Sequence, residues 1–358
     1  MTLINELQLA RDTLRRRLGR WLFDRHRPRP ADDGCSKVVM VRWDAKLGDA
    51  IVSSWVAREI HRAQSGREVW VVTTPAMAPL FRDYFGVDRV LEVPKRPGYG
   101  ELKRLALSLG RVGYLVHFGK SLKMKDLYFI DRVDTCHVAG LDDELICIDI
   151  KLGQETAEMH FSTKFEVLLK HMGVVNPDTR YIIPQIADIE EKVRAWWPAH
   201  NTICFNPYGS GVSRSFNVDK AVELVNIMLS SSSLNICLLF PPGNEKEAEF
   251  ISLNSCESTR VFYYKELPSL PILFAQVNNC IGMVSVDTAT VHIATGFNKP
   301  VLGIYNQNFG LPENVEWHPN NYRSRVIYAE ARSSQQNVNF INTDSFKVAF
   351  KQWVSDFL

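Results

Sequence analysis

Short apolar runs alternate with helical patterns along almost the whole chain, and this alternation restricts the folds that it can adopt. The first series predicts strands at 38–42, 69–72, 90–93 and 114–117, and helices at 50–62, 79–85 and 157–172. Continuous apolar strands separated by helices are typical of a parallel sheet with helices on both faces. The sequence therefore predicts an α/β fold.

A second series of the same kind follows a polar segment at 185–200. It predicts strands at 203–206, 236–240, 260–264, 280–286 and 300–305, and helices at 218–230 and 245–253. A final helix is predicted to start near Thr343 and Asp344, and this pair is its expected cap. Its apolar face, which we expect to pack on a sheet, carries Phe346, Ala349, Phe350, Trp353 and Phe357.

The length of 358 residues exceeds what one core ordinarily holds and suits two domains. We expect two Rossmann-like, doubly wound domains at 31–190 and 191–358, preceded by a basic amphipathic helix at 1–30. An Arg/Pro-rich break at 27–34 separates that helix from the first strand. Ligands bind doubly wound sheets at the carboxyl ends of their strands, so the two domains are expected to form a cleft there.

The N-terminal segment combines eight arginines with an apolar stripe. At spacings of three and four, one helix face carries Leu3, Leu7, Ala10, Leu14, Leu18 and Trp21. Such a helix suits the anionic inner leaflet of a membrane, with Trp21 at the interface. The alternative is a helix that packs on the protein itself while its arginines stay solvated. No nucleic-acid-binding motif is present, so we expect no nucleic-acid partner.

Composition limits the remaining possibilities. No run approaches the roughly 20 apolar residues that a membrane-spanning helix needs, and arginines interrupt the first 30 residues where a signal peptide would be apolar. The seven cysteines are scattered and form no C-x-x-C pair, so we expect neither zinc nor a disulfide framework. These observations predict a cytoplasmic protein with no cofactor and no metal.

Three strand-to-helix junctions carry residues suited to chemistry. The first, at 41–51, places Gly48 in a tight turn and Asp49 at the start of a helix, where an aspartate is most often an N-cap. The second, at 206–216, has small residues that let backbone N–H groups approach an anion, and Arg214 adds a positive fork. This loop, which a diphosphate would fit, includes Gly209, Ser210, Gly211 and Ser213.

The third junction, at 284–296, ends a strand at Asp287 and Thr288. Both side chains could cap a short helix that closes at Gly296, and the N–H groups at its start would attract phosphate oxygens. His292 lies inside this helix, a position typical of a buried, hydrogen-bonded histidine. Each junction is common by itself, so their order and separation carry the information.

Taken together, the early L-G-D junction, the small-residue loop and the S-V-D-T-x-x-x-H-I-A run before a K-P-V strand resemble the lipopolysaccharide heptosyltransferases, glycosyltransferase family nine. The resemblance spans about residues 37–310. It implies a GT-B fold, with the acceptor on the first domain and the nucleotide sugar on the second. It also implies inverting, metal-independent transfer of heptose from ADP-L-glycero-D-manno-heptose to the lipopolysaccharide core, by an enzyme at the inner face of the cytoplasmic membrane.

The resemblance also assigns roles to individual residues. It makes Asp49 the catalytic base and places Asp287, Thr288 and His292 at the donor phosphates. Glu247, with Glu245 second, matches the acidic residue that contacts the nucleotide ribose, and Lys123, near Lys120, matches a basic residue that holds acceptor or phosphate groups. The chain departs from the family where Arg214 replaces a lysine and where His117 replaces an aspartate.

Three alternatives stay open. The donor could be a UDP- or GDP-sugar, which a panel of donors would distinguish. A non-catalytic relative could bind core saccharide or act as a scaffold, although Asp49 and Asp287 are intact. A sugar-nucleotide epimerase of the same fold needs no lipid acceptor, and it would leave the basic N-terminal helix without a purpose.

Overall fold

The computed structural model describes residues 3–26, 34–44, 46–64, 66–198, 200–307, 313–331 and 336–358. The chain separates into two compact units, Met1–Thr179 and Arg180–Leu358, each with its own six-stranded sheet. Nearly all of the break predicted at 27–34 lies outside the described residues. In the part of the chain that is described, no helix combines the length and apolarity that crossing a membrane requires.

The first unit alternates strands with helices. In chain order it contains α1 (Leu3–Phe23), β1 (Lys37–Arg42), α2 (Leu47–Val52), α3 (Val56–Ala63), β2 (Glu68–Thr73), α4 (Ala78–Asp83), β3 (Arg89–Glu92), α5 (Tyr99–Leu109), β4 (Val112–His117), α6 (Met124–Arg132), β5 (Thr135–Gly140), β6 (Ile150–Lys151) and α7 (Phe161–His171). The strands pair in parallel in the order β3-β2-β1-β4-β5-β6. Strand β1 is central, and its register pairs Val38 with both Val69 and Tyr114.

The second unit repeats this plan. It contains α8 (Ala187–Trp196), β7 (Thr202–Asn206), α9 (Val218–Ser231), β8 (Asn235–Leu238), α10 (Glu245–Leu253), β9 (Val261–Tyr263), α11 (Leu270–Asn279), β10 (Met283–Val286), α12 (Ala289–Gly296), β11 (Val301–Asn306), α13 (Glu313–Glu316), β12 (Ser324–Ala329) and α14 (Thr343–Phe357). Its strands are also parallel, in the order β12-β11-β10-β7-β8-β9. The predicted α/β fold with two doubly wound sheets is confirmed.

Helix α14 buries the apolar face that the sequence predicts. Phe346, Phe350 and Trp353 are fully buried in the core of the second unit, where α14 packs on α9 and β12. The expected cap at 343–344 is wrong, because Asn342 holds that position and its side chain accepts a hydrogen bond from the backbone N–H of Ser345.

The helix predicted at 50–62 is interrupted. Helices α2 and α3 are separated by a turn at 53–55, where the Ser53 hydroxyl donates to the carbonyl oxygens of Asp49 and Ala50. Serine side chains that bond nearby carbonyls compete with the regular helical pattern. Helices α5 and α6 and strands β5 and β6 lie in segments where no element is predicted above.

Candidate functional site

Each sheet has one position where the strand order reverses. In the first unit it lies between β1 and β4, and in the second between β10 and β7. Successive connections leave such a pair of strands in opposite directions, which opens a crevice at their carboxyl ends. The loops after these four strands carry most of the predicted site residues.

After β1, the carboxylate of Asp49 is buried in the first turn of α2, with 9% of the residue exposed. Its Oδ1 lies 3.6 Å from Nη2 of Arg42, the last residue of β1, and the same Nη2 lies 3.7 Å from Asp44. The N-cap expected of Asp49 from the residues alone is wrong: Lys46 holds that position, and no side chain there makes a cap hydrogen bond.

The environment of Asp49 changes its acidity. Burial raises the pKa of this carboxyl to about 6, because a charge is poorly solvated inside the protein. The charge of Arg42 acts in the opposite direction, whereas Asp44 raises the pKa further. At neutral pH the group is therefore mostly ionised, yet it is a much stronger base than an exposed aspartate.

Arg42 is a site residue that the sequence reasoning missed. Its guanidinium is buried, with 6% exposed, and lies 5.9 Å from the ring centres of both Phe161 and Phe165 on α7. Its Nε and Nη2 atoms have no hydrogen-bond partner within the described residues, so Asp49 and Asp44 provide the charge that balances it. The sequence signal that could have identified Arg42 is a charged residue at the end of an apolar strand, shortly before the turn at Gly48 and Asp49.

After β4, His117 takes the place of the family's aspartate. Its Nδ1 accepts a hydrogen bond from the N–H of Gly119, so its proton is on Nε2, which lies 3.3 Å from Oδ1 of Asp126. Burial would raise the pKa of Asp126, but the hydrogen bonds from His117 and from the N–H of Lys123 hold it below its ordinary value. This pair stabilises the start of α6 beside the predicted acceptor lysines.

The two predicted acceptor lysines lie on the exposed loop between β4 and α6. Lys123 is not available as a lone cation, because its Nζ lies 3.3 Å from Oδ2 of Asp12 on α1. Lys120 is exposed one residue after Gly119. The structure thus brings Lys120 and Lys123 to the same strand edge as Asp49.

After β7, the small-residue loop is tightly folded around its glycines. A Cβ on Gly209 would lie 2.3 Å from the carbonyl oxygen of Arg214, and Gly211 has a φ of 111°. The Ser215 hydroxyl accepts from the N–H of Gly209 and contacts the carbonyl oxygens of Gly209 and Gly211. Ser210 and Ser213 are exposed on this loop.

After β10, Asp287 pairs with the arginine of that loop: Nη1 of Arg214 lies 3.2 Å from Oδ2 of Asp287. Both side chains are partly exposed, at 42% and 25%. This ion pair joins the second and third sequence junctions. It leaves part of the Arg214 fork for an anion and fixes the direction in which the fork points.

The start of α12 is held by a buried polar network. Nδ2 of Asn206, at the end of β7, lies 3.0 Å from the Thr290 hydroxyl and 3.3 Å from that of Ser285. Thr288 occupies the N-cap position, but the side-chain cap bond expected of it is absent. His292 is buried inside α12 with its ring 5.9 Å from that of Trp317, as a structural histidine would be.

Glu247 and Glu245 both lie in the first turn of α10, after β8. Glu245 accepts from the backbone N–H of Gly243, which lowers its pKa. Glu247 accepts from the Asn244 amide, and after burial its charge is the main reason why the pKa of Tyr208 is raised. Glu247 therefore faces the β7 loop through Tyr208, a residue missed from the sequence, whereas Glu245 is engaged by its own helix.

No cluster of three or more histidine, cysteine or acidic side chains able to hold a metal ion occurs among the described residues. Two features of the described residues suit specific chemical roles. A buried carboxylate at the β1/β4 edge can take a proton, and a glycine-rich loop with an arginine at the β7/β10 edge can bind an anion.

A sequence profile identifies one family. Residues 154–345 match the sequence profile of glycosyltransferase family 9 (heptosyltransferase). An Escherichia coli K12 protein named as a candidate lipopolysaccharide heptosyltransferase 4 is 22% identical over 317 residues, which are 86% of this chain and 84% of that protein.

Two solved structures share the fold. A family 9 glycosyltransferase from Veillonella parvula superposes with a TM-score of 0.69 at 12% identity, over 90% of this chain and 98% of that one. The E. coli heptosyltransferase WaaC with ADP-2-deoxy-2-fluoro heptose superposes with a TM-score of 0.61 at 16% identity, over 88% and 99%.

Proposed function

Because this chain belongs to glycosyltransferase family 9, the heptosyltransferases, and is therefore a glycosyltransferase, we propose that it transfers heptose from ADP-L-glycero-D-manno-heptose to the lipopolysaccharide core. The family resemblance inferred from the three sequence junctions is confirmed by the profile match. The observation that carries the proposed chemistry is the buried Asp49 carboxylate beside Arg42, with its pKa raised to about 6.

On the acceptor side, Asp49 is proposed to take the proton of the attacking hydroxyl. A base whose pKa lies near the working pH combines a large ionised fraction with strong proton affinity, and such catalysis contributes about 10²–10⁴-fold. Arg42 keeps the carboxylate ionised and cannot compete for the proton, because a guanidinium stays charged at any working pH. Direct attack on the anomeric carbon would give inversion.

The loop after β4 is proposed to hold the acceptor. Lys120 and Lys123 are proposed to bind acidic or phosphate groups of the acceptor there. Since the Lys123 ammonium already contacts Asp12, an acceptor phosphate would replace one anion by another there.

On the donor side, negative charge grows on the departing diphosphate. Arg214, the N–H groups of the loop at 209–213 and the start of α12 at Thr288 are proposed to stabilise it. Asp287 orients Arg214 through their ion pair, and Glu247, beside Tyr208, is proposed to contact the ribose. His292 supports this end of the site from inside α12. Structures of WaaC with an ADP-heptose analogue support the choice of donor.

We also propose that the reaction needs no metal and takes place at the cytoplasmic face of the membrane that carries the acceptor. The guanidinium of Arg214 and the loop N–H groups would stabilise the departing diphosphate, as a divalent cation does in other transferases. Both statements stay predictions.

The test is ADP release by the purified protein from ADP-heptose, with and without truncated core lipopolysaccharides, in the presence and absence of EDTA. We expect release that depends on the acceptor, resists EDTA and is lost in Asp49→Asn. UDP- and GDP-sugars form the control panel. Release of UDP or GDP from one of those donors, without ADP release from ADP-heptose, would replace the ADP-heptose assignment. If no donor releases its nucleotide, the proposal of a catalytic protein is contradicted.

A further inference from the structure

Helix α1 turns its apolar side towards solvent. Leu14, Leu18 and Trp21 are 68%, 45% and 80% exposed, although they form one stripe along the helix. An amphipathic helix on a soluble protein ordinarily packs its apolar stripe on the core. The described part of the predicted apolar stripe therefore lies on one face of α1, and this face points away from the rest of its own unit.

The opposite side of α1 is fixed to the protein by polar contacts. Arg16 donates to both carboxylate oxygens of Asp142 and to the carbonyl oxygen of Leu122, at 2.5, 2.9 and 2.9 Å. Gly19 lies so close to α6 that a Cβ there would come within 2.7 Å of Cα of Met124. These contacts fix the rotation of α1 about its own axis, so its apolar stripe can face only away from the protein.

Charge is divided between the two sides of α1 as well. Asp12 contacts Lys123, and the Asp24 carboxylate, 3% exposed, accepts from the N–H groups of Ile146 and Cys147. The carboxylates of Asp12 and Asp24 thus bind groups of the protein itself, and Asp12 also pairs with Arg11. The exposed arginines flank the apolar stripe, with Arg11 and Arg15 on one side and Arg17 on the other.

We propose that this outward face of α1 docks on an anionic phospholipid bilayer. The docking face comprises Leu14, Leu18 and Trp21 with Arg11, Arg15 and Arg17. Apolar side chains would enter the interface between headgroups and acyl chains, with the indole at the headgroup level, while the arginines meet lipid phosphates. A second copy of the chain fits less well, because a two-fold contact would place these arginines opposite one another.

The helix that docks also holds the loop proposed to bind the acceptor. Arg16 contacts Leu122, and Asp12 contacts Lys123, on the loop between β4 and α6. A helix with side chains is roughly 10–12 Å across, so a docked α1 would keep this loop about that far from the lipid surface. This second step rests on the proposed function, whereas lipid docking does not.

The experiment measures sedimentation of the full-length chain with vesicles of phosphatidylcholine alone or mixed with phosphatidylglycerol, without donor or acceptor. Wild type should bind the mixed vesicles and lose binding as salt rises. Replacing Leu14, Leu18 and Trp21 by glutamine, which preserves helix propensity, should weaken binding about tenfold or more. Replacing Arg11, Arg15 and Arg17 by glutamine should weaken it by roughly fivefold per arginine.

The matched control replaces three exposed apolar residues of the second unit by glutamine: Leu253, Leu267 and Tyr322, at 70%, 81% and 85% exposure. It should bind vesicles like wild type. Unchanged binding of the Leu14/Leu18/Trp21 variant, or no vesicle binding by wild type, would overturn the proposal. So would light scattering that shows this variant converting a dimer to a monomer.

Assays of ADP release distinguish failure of this inference from failure of the proposed function. With a lipid-free core oligosaccharide, the Leu14/Leu18/Trp21 variant should release ADP at the wild-type rate; with a vesicle-embedded acceptor it should be slower. A wild-type rate on embedded acceptor would overturn the link between docking and the acceptor loop. If no acceptor supports ADP release, the proposed function fails while the vesicle result stands.

Discussion

The two units share one topology but carry different groups where the strand order reverses. Counted along each unit, both sheets have the strand order 3-2-1-4-5-6, the order of the dinucleotide-binding fold, and both carry candidate residues where that order reverses. In the first unit this position holds a buried carboxylate beside a buried guanidinium. In the second it holds an exposed glycine-rich loop and a partly exposed ion pair. The shared topology thus sets where the candidate residues lie, and local burial sets the chemistry to which each position is suited.

The contrast in burial has a physical meaning. Asp49 depends on exclusion of water, because burial is the largest cause of its raised pKa. Arg214 and Asp287 are partly exposed, so the guanidinium fork is within reach of the anion that it is proposed to bind. Substitutions in the first unit should therefore change proton transfer, and those in the second should change donor binding.

The largest effect is expected on kcat, when Asp49 and Asp287 are each replaced by asparagine and compared. Asp49→Asn should lower kcat by about 10²–10⁴-fold with little change in donor affinity, because it removes the proposed base. Asp287→Asn should chiefly weaken donor binding, because it frees Arg214 to change direction. Steady-state kinetics with calorimetric donor titration would separate these effects; a full kcat in Asp49→Asn would remove it as the base.

Next in size is loss of the donor-side cation. Arg214→Ala should weaken ADP binding by about 10- to 100-fold, since a hydrogen bond to a charged group contributes about 1.5–3 kcal/mol. Arg214→Lys is the matched control and should lose less, because the charge remains while the fork is lost. Equal ADP affinity in wild type and Arg214→Ala would show that the loop N–H groups bind the diphosphate unaided.

A smaller effect concerns pH. Because Asp49 must be ionised, kcat/KM should fall as the pH drops below about 6. Arg42→Gln removes the opposing charge and should raise the pKa of Asp49 by about 1–3 units, so activity falls at least about threefold at pH 6.5 and recovers at higher pH. An unshifted acid limb in Arg42→Gln would show that this arginine has a structural role only.

The smallest effect is on stability. The folded pKa of Asp49, about 6, exceeds the ordinary aspartate value of 3.8, so the native state binds more protons and its stability falls as pH rises between these values. Asp49→Asn should remove this slope and raise the free energy of unfolding above pH 6 by about 1–3 kcal/mol. Asp287→Asn, which breaks an ion pair, is the control and should not gain stability. Urea unfolding across this pH range would test both.

Much of the fold follows from local sequence. Strand β1 and helix α14 were found because apolar periodicity is a property of neighbouring residues. The two halves, the three junctions and the family resemblance followed from the order of such segments. The short or less apolar elements β5 and β6 were not predicted, because their pairing with β4 compensates for a weak local pattern.

The features that only the tertiary structure decided depend on residues far apart in the chain. Arg42 is buried beside Phe161 and Phe165, which lie more than a hundred residues later in the chain. The burial of Asp49 itself, against which the charge of Arg42 acts, raises the pKa of its carboxyl. Periodicity placed the apolar residues of α1 on one face, but Asp142 and Leu122 decided that this face points outward. Sequence determined which residues share a strand or a helix face; packing determined which of them lost contact with water.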